Sequence, residues 1–497
     1  MPAITITENA DSDLAIVRAI AAGEAVSMEP TLLAALQERC DRARVLLSDG
    51  RPVYGVNTGM GALHGVRLTG QQQRARQRNL LLARATGGPP WLDRAEARAI
   101  IGVRLLTFRS GDAAVSADLC QRLIEMLNRD LVPAVPRTAM GAAGEIMQLA
   151  HAFGPLAGIG EVLGSGAATQ PASRALADHG LTEYSLGPKE GIALIQGVAG
   201  TTGLSVLRLA EAGRLTGLME ASAALSIAAA GASRDPYNAA LGRGDDILDA
   251  VLARIRGRAG DDSQARALQA PVSFRVAGPV LAHLHRAAGL LEAAVRRALA
   301  GVTDSPAFIG DRFVGTAGFH GIDLAAHCDQ LTVAFCHAAE VAAARIHRLM
   351  DPAVTGLPPQ LARQPGLEAG LSPVHKRAAG EVHEMRRLAV ATPVGLIETS
   401  GGQEDVQSFA WEAADKLRTA LRHARAVTAC ELLTAYQATQ LSGQPSPPGC
   451  APIVSWLAAI IGPIPADRPF GVDIENLIGA DWPAGSTAEG TRANLSR

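Results

Sequence analysis

The stretch "RTAMGAAGEIMQLAH" (residues 137–151) decides how this chain is read. Just upstream, Pro133 and Pro136 stop regular structure, because proline lacks an amide proton and restricts the residue before it. Downstream the chain turns helical. Between the two lies Ala142-Ala143-Gly144, a turn of small residues at the mouth of a helix. It has the look of a catalytic loop whose central side chain has been cut back to a methyl. A hydroxyl on the Cβ of residue 143 would open covalent chemistry there, and Ala143 supplies none.

At roughly 150 residues per domain, 497 residues suggest two or three units. Hydrophobic residues make up 48% of the chain but aromatics only 3%, so the core must be built from Ala, Leu, Val and Ile. Such small side chains let helices approach closely along their lengths. The net charge of −2 gives no basic field for nucleic acid. Nearly all basic residues are Arg; the lysines are Lys189, Lys376 and Lys416. The six cysteines form no CxxC pair and no secretory signal precedes them, which predicts a reduced, cytoplasmic protein. The most apolar helix candidate carries Glu220, so no membrane span is predicted.

Helical spacing runs through 70–86 and 92–128, and then through longer Ala/Leu-rich segments near 190–231, 263–301, 322–350, 374–392 and 404–441. Residues 51–66 and 355–373 read as loops. Residues 1–12 are polar and expected to fray. The predicted fold is mainly α. It has a mixed helix-loop N-terminal domain over 1–190, a long-helix bundle over 191–483 and a disordered tail over 484–497.

Some motifs carry little. His283 and His285 are two apart on a helix and point in different directions, so they cannot share a metal. "HEMRR" (383–387) lacks the second His of a zinc helix, and "GIGEVLG" (158–164) follows no predicted strand. Cys328, Cys336 and His337 are read as core filling on one helix. No metal site is expected.

Five other segments carry chemistry: "YGVNTGMG" (54–61), "VPRTAMGAAGEIMQLAHAF" (135–153), "PKEGIALIQG" (188–197), "GFHG" (318–321) and "TSGGQEDVQS" (399–408). In order and spacing they resemble the aromatic amino acid lyases: histidine, phenylalanine and tyrosine ammonia-lyases and the related aminomutases. The patterns they resemble are YGVNTGFG, VP…GSVGASGDLAPLAH, KEGLALLNG, NFHG and TSANQEDHVS. The resemblance implies a long-helix bundle of the ammonia-lyase or fumarase-like type. It also implies a homotetramer in which each active site takes residues from three subunits.

In that family Ala-Ser-Gly cyclises into a methylidene-imidazolone (MIO). The glycine nitrogen attacks the alanine carbonyl, and the serine loses its hydroxyl as water. Here Ala142, Ala143 and Gly144 occupy the catalytic position, and Ala143 has no leaving group. Neither MIO nor another cofactor is therefore expected. Ala143 is one change among several. Glu145 replaces Asp, Met147-Gln148 replaces Ala-Pro, Gln196 replaces Asn, Gly318 replaces Asn, and Val272 stands where a second catalytic tyrosine would be. A set of this size is the mark of divergence rather than of one substitution.

The retained residues point to a small carboxylate-bearing substrate. Tyr54 matches the lid-loop tyrosine, a candidate base that needs positive surroundings to work near neutral pH. Arg275 matches the arginine that grips the substrate carboxylate, a fork no lysine reproduces. Phe319 matches a residue beside the reactive ring, and Gln403 and Glu404 a polar pair near the substrate amine. Arg84 falls at the substrate-selecting position of "QRNLLLARATGG" (77–88) and suits an anionic group better than an imidazole or phenyl ring. Tyr54 and Arg275 are expected to converge beside 142–144, with Gln196, Phe319 and Glu404 on the walls. The plain structural readings are a capping or interface role for Arg275, pairing for Glu404 and loop anchoring for Tyr54. Two functions stay open: an MIO-independent enzyme catalysing elimination, addition or cyclisation, and a non-catalytic descendant that binds a ligand or acts as a scaffold.

Overall fold

The computed structural model describes residues 4–164, 166, 168–260 and 265–481; the expected tail after 484 lies outside them. The described chain is mainly helical. Its sheets are two-stranded: Ile4–Ile6 runs parallel to Val26–Met28, and two short hairpins pair Glu161–Leu163 with Thr169–Pro171 and Ala307–Ile309 with Arg312–Val314. The first pairing corrects the expectation of a frayed start. Ile6 is fully buried, and an alternating apolar triplet needs only one partner strand to become ordered.

The chain forms two compact units. The first comprises Met1–Arg208, Leu291–Cys328 and Ala391–Asp415, the second Leu209–Leu290, Asp329–Val390 and Lys416–Arg497. The compositional change near 190 falls just ahead of the division at 208. Composition offered no reason to join 291–328 and 391–415 to the first unit, and those segments carry two of the five motifs.

In the first unit, local signals start the helices. Thr69 and Gln72 form a reciprocal capping box for Gly70–Arg84, Asp93 and Glu96 do so for Arg94–Phe108, and Ser116 caps Ala117–Asn128. The long helices are Ala199–Ala230, Ala277–Ala300, Ile322–Leu349, Ser372–Leu388 and Ala410–Ser442. Ala199–Ala230 belongs to a stretch long and apolar enough to cross a membrane by composition, yet 94% of its most apolar window is buried inside the chain. Its most apolar window therefore leaves no bare apolar stripe. Exposed apolar side chains gather instead at Val390, Val394, Leu396 and Ile397. Cys328 and Cys336 are core residues as expected, but His337 on the same helix is exposed. All six cysteines are free and buried.

The second unit buries charge in matched sets. Glu220 accepts from Arg254 at 2.7 and 2.8 Å and pairs with His285 at 2.8 Å. Glu431 pairs with Arg345 and accepts from Ser226. Burial pushes the Glu220 carboxyl up, but the bonds from Arg254 and His285 outweigh it and hold it at about 2, below its ordinary 4.5. Its stabilising contribution is thus complete above pH 4.5 and is lost as pH falls toward 2. Glu220→Gln is expected to destabilise the second unit by about 3 kcal/mol at neutral pH. The gap from the parent should close on acidification through that window. Urea unfolding at several pH values measures both, and a gap independent of pH would show that the charge does not matter.

Candidate active site

The loop ahead of the Ile146–Phe153 helix is a tight bend in which Ala142 N–H donates to Met140 O at 2.9 Å. Ala142 and Glu145 are buried, and Ala143 and Gly144 half-buried. Glu145 Oε2 and Oε1 accept from the amides of Gly200 (2.7 Å) and Thr201 (2.9 Å). Those amides belong to the first turn of Ala199–Ala230, where the helix lacks internal acceptors and the dipole favours negative charge. Burial raises the Glu145 carboxyl above its ordinary range, and these bonds oppose the rise. At Gly200 a Cβ would lie 2.1 Å from the Trp411 ring, so the indole lies directly on the helix backbone. Trp411 in turn donates to Arg137 O at 2.8 Å.

Gly144 packs on the backbone of Phe319 and Gly197: its Cβ would sit 3.2 Å from Phe319 O and 3.8 Å from Gly197 O. The carbonyl of neighbouring Gln196 is held by Arg104, whose fully buried guanidinium lies over the rings of Phe108 and Phe153. Burial brings Arg104 down to about 10, against the opposing charges of Asp304 and Glu145. Lys189, passed over in the sequence, is buried against Asp304 and donates to Ala113 O at 2.8 Å, which anchors the turn into "EGIALI".

Glu404 makes the most telling contact. Its Oε2 accepts from Ala143 N–H at 2.8 Å and its Oε1 from Ser400 Oγ at 3.0 Å. The acid of the "TSGGQED" motif therefore grips the central residue of the former catalytic triplet. Gln403 beside it is exposed. The lid turn at 61–63 lies against the 400–402 turn, since a Cβ on Gly61 would meet Ser400 at 3.7 Å and one on Gly401 would meet Ala62 at 3.5 Å. Tyr54 stands half-open, 38% exposed, with its phenol oxygen accepting from Gly61 N–H at 2.9 Å. Arg84 lies within electrostatic reach of both Tyr54 and Glu404, and its guanidinium approaches Met60 Sδ at 3.9 Å.

Tyr54, Arg84, residues 142–144, Gln196, Phe319, Gln403 and Glu404 thus all belong to the first unit. Arg275 does not. It lies in the second unit, where Nη1 donates to Gln269 Oε1 at 3.1 Å and Nε is buried without a partner. There it lines a cavity of about 430 Å³ with Arg266, Gln269 and the exposed Val272. The sequence reading missed Arg76. It is half-buried on the same helix as Arg84 and within electrostatic reach of Tyr54. In "QQQRARQR" nothing marks it apart from its surface neighbours.

A profile of the family described as aromatic amino acid lyase matches residues 13–460. The chain belongs to this family. Histidine ammonia-lyase of Anaeromyxobacter dehalogenans is 34% identical over 448 residues, covering 86% of this chain and 88% of the relative. A probable histidine ammonia-lyase of Thermoplasma acidophilum is 31% identical, with 91% and 92% covered. Among solved structures, tyrosine aminomutase from Streptomyces globisporus superposes with a TM-score of 0.90 at 26% identity, covering 96% of both chains. The long-helix fold expected from the motifs is that of these aminomutases and ammonia-lyases.

At one changed position the packing explains a residue that the motif alone left bare. Gly318 stands where the NFHG pattern has Asn, and a Cβ there would lie 2.1 Å from Val302 O. Gly318→Asn is therefore expected to destabilise the first unit by about 1–3 kcal/mol through overpacking, rather than to restore a lost function. A variant that melts with the parent would show that this loop is free to move.

Proposed function

We propose that this lyase-family chain is an MIO-independent enzyme. It acts on a small, carboxylate-bearing substrate derived from an amino acid, by proton abstraction with elimination, addition or cyclisation. The observation that carries the reading is the Glu404–Ala143 bond beside Tyr54 and Arg84. The polar frame around 142–144 is intact although its central side chain is a methyl. Loss of function by decay gives no reason for that frame to stay assembled. The competing reading, a ligand-binding or scaffold protein, draws on the same pocket without turnover.

Residues 142–144 do not fit the family's prosthetic group, because its exocyclic methylidene forms only when a leaving group departs from the middle Cβ, and Ala143 has none. No step is routed through it. Instead Tyr54 takes a proton from the carbon next to the substrate carboxylate. The freed electron pair forms the new bond as the leaving group departs with its own pair. Charge spreading onto the carboxylate is held by a bidentate arginine. Without a covalent electrophile the leaving group must be better than an unactivated amine. The cleft under Ala142 and Gly144, toward Trp411 and His320, holds about 20 Å³, room for about one water. The substrate therefore belongs on the lid side.

Arg275 reaches such a substrate in an assembly, as a residue of a second copy. A homotetramer accounts for that and for covering the exposed Val390, Val394, Leu396 and Ile397. Six buried free thiols suit a reducing, cytoplasmic setting.

Two outcomes are expected. Intact-mass spectrometry should give the encoded mass, with no loss of two waters; such a loss would overturn the account of Ala143. In deuterated buffer, a panel of amino acids and their carboxylate derivatives should reveal one whose C–H exchanges with solvent. Tyr54→Phe should abolish exchange with binding largely kept, whereas Arg275→Ala should weaken binding about ten- to a hundredfold. A ligand that binds with no exchange in the parent would favour the binding protein.

A further inference from the structure

Arg76 and Arg84 lie eight residues apart on the Gly70–Arg84 helix, about two turns and ~12 Å along the axis. Both project from one helix toward the lid tyrosine, and burial together with the Arg76 guanidinium disfavours the charged form of Arg84. Arg76 is likewise disfavoured by burial. A structural arginine in this position is normally paired. Here the Nε of Arg76 is shielded from solvent with no hydrogen-bond partner, and Arg84 has only the sulfur of Met60. Neither makes an ion pair with a described carboxylate. Glu404, the acid whose charge reaches Arg84, already accepts from Ala143 N–H and Ser400 Oγ.

Two guanidiniums cannot shed their charge at any ordinary pH. Half-burying both on one helix, unpaired, costs free energy through desolvation and repulsion. Such an arrangement persists where an anion repays it, and both lie within reach of the lid tyrosine. Resting on the lyase-like reading above, we propose that Arg76 and Arg84 together bind an anionic group (carboxylate, phosphate or sulfonate) on the distal end of the substrate. The substrate then carries two anions: the carboxylate assigned to Arg275, and a second one at the far end held by this pair. Selection for that second anion replaces selection for a neutral aromatic ring.

The test separates this site from the Arg275 cavity and from catalysis. Inorganic phosphate is titrated calorimetrically into the full-length protein carrying Arg275→Gln, at fixed ionic strength. Binding is expected, and should weaken about ten- to a hundredfold when Arg76→Gln or Arg84→Gln is added. Arg84→Lys, which keeps the charge but not the fork, should retain part of it. With Arg275 intact, O-phospho-L-tyrosine should bind more tightly than L-tyrosine, and L-glutamate more tightly than L-glutamine. Both preferences should vanish in the Arg76→Gln/Arg84→Gln double variant. Phosphate binding indifferent to these substitutions, or equal binding within each pair, would overturn the proposal. So would a double variant that loses phosphate binding only by changing its mass in light scattering, since the pair would then belong to a subunit interface. Charge discrimination without deuterium exchange leaves this site standing and removes the enzyme; exchange without discrimination does the reverse.

Discussion

The buried carboxylate of Glu145 holds the site to the scaffold. It accepts the amides of Gly200 and Thr201 at the start of the Ala199–Ala230 helix. A helix N-terminus carries unsatisfied donors and partial positive charge, so a short acidic side chain just past Gly144 is a matched partner. The contact works only because Gly200 leaves room for the Trp411 ring and for the carboxylate itself. From it follow the position of 142–144 against Phe319 and Gly197, and the reach of Glu404 to the Ala143 amide. Removing the carboxylate would leave two amides bare in a dry environment, a cost of about 1–3 kcal/mol for each unsatisfied group.

Arginine serves two opposite purposes in this chain. In the cores it closes charge balances: Arg137 and Arg208 on buried Glu96, Arg345 on Glu431, Arg254 on Glu220. For Glu96, burial pushes the carboxyl up and the two guanidiniums overcome it, so it ionises below its usual range. Arg76 and Arg84 make no such ion pair among the described residues. The contrast is physical: a buried guanidinium with an acid beside it, or a carbonyl and aromatic rings as Arg104 has, is satisfied within the fold, whereas a half-buried one with neither is open to a ligand. Only the surroundings separate the two, since all of these side chains are the same in sequence.

Much of the fold was legible from one-dimensional pattern. The long helices follow from 3.6-residue spacing in Ala/Leu-rich segments, but the one expected from 263 begins only at Ala277, past the short Val272–Arg275 turn of helix that Pro271 starts, and the one expected from 404 begins at Ala410, past the 399–409 loop. Capping residues mark the starts near 70, 94 and 117. The misreadings have common causes. Residues 4–6 looked frayed because a strand's partner, 26–28, is not local. His337 looked like core because its neighbours on the helix are, while its own side chain points out. Segments 291–328 and 391–415 join the first unit through contacts that no local pattern encodes.

The sequence by itself determined what the triplet can become. The exocyclic methylidene of the family's group forms by loss of a leaving group from the Cβ of residue 143, and a methyl has none in any fold. It likewise carried the motifs, since each is a short run of adjacent residues. The tertiary structure alone decided which side chains share a space. It joined Glu404 to Ala143 across 261 residues, placed Arg275 in the other unit, and left Arg76 and Arg84 on one helix with no ion pair among the described residues. Those outcomes depend on distance, burial and pairing, which exist only once the chain has folded.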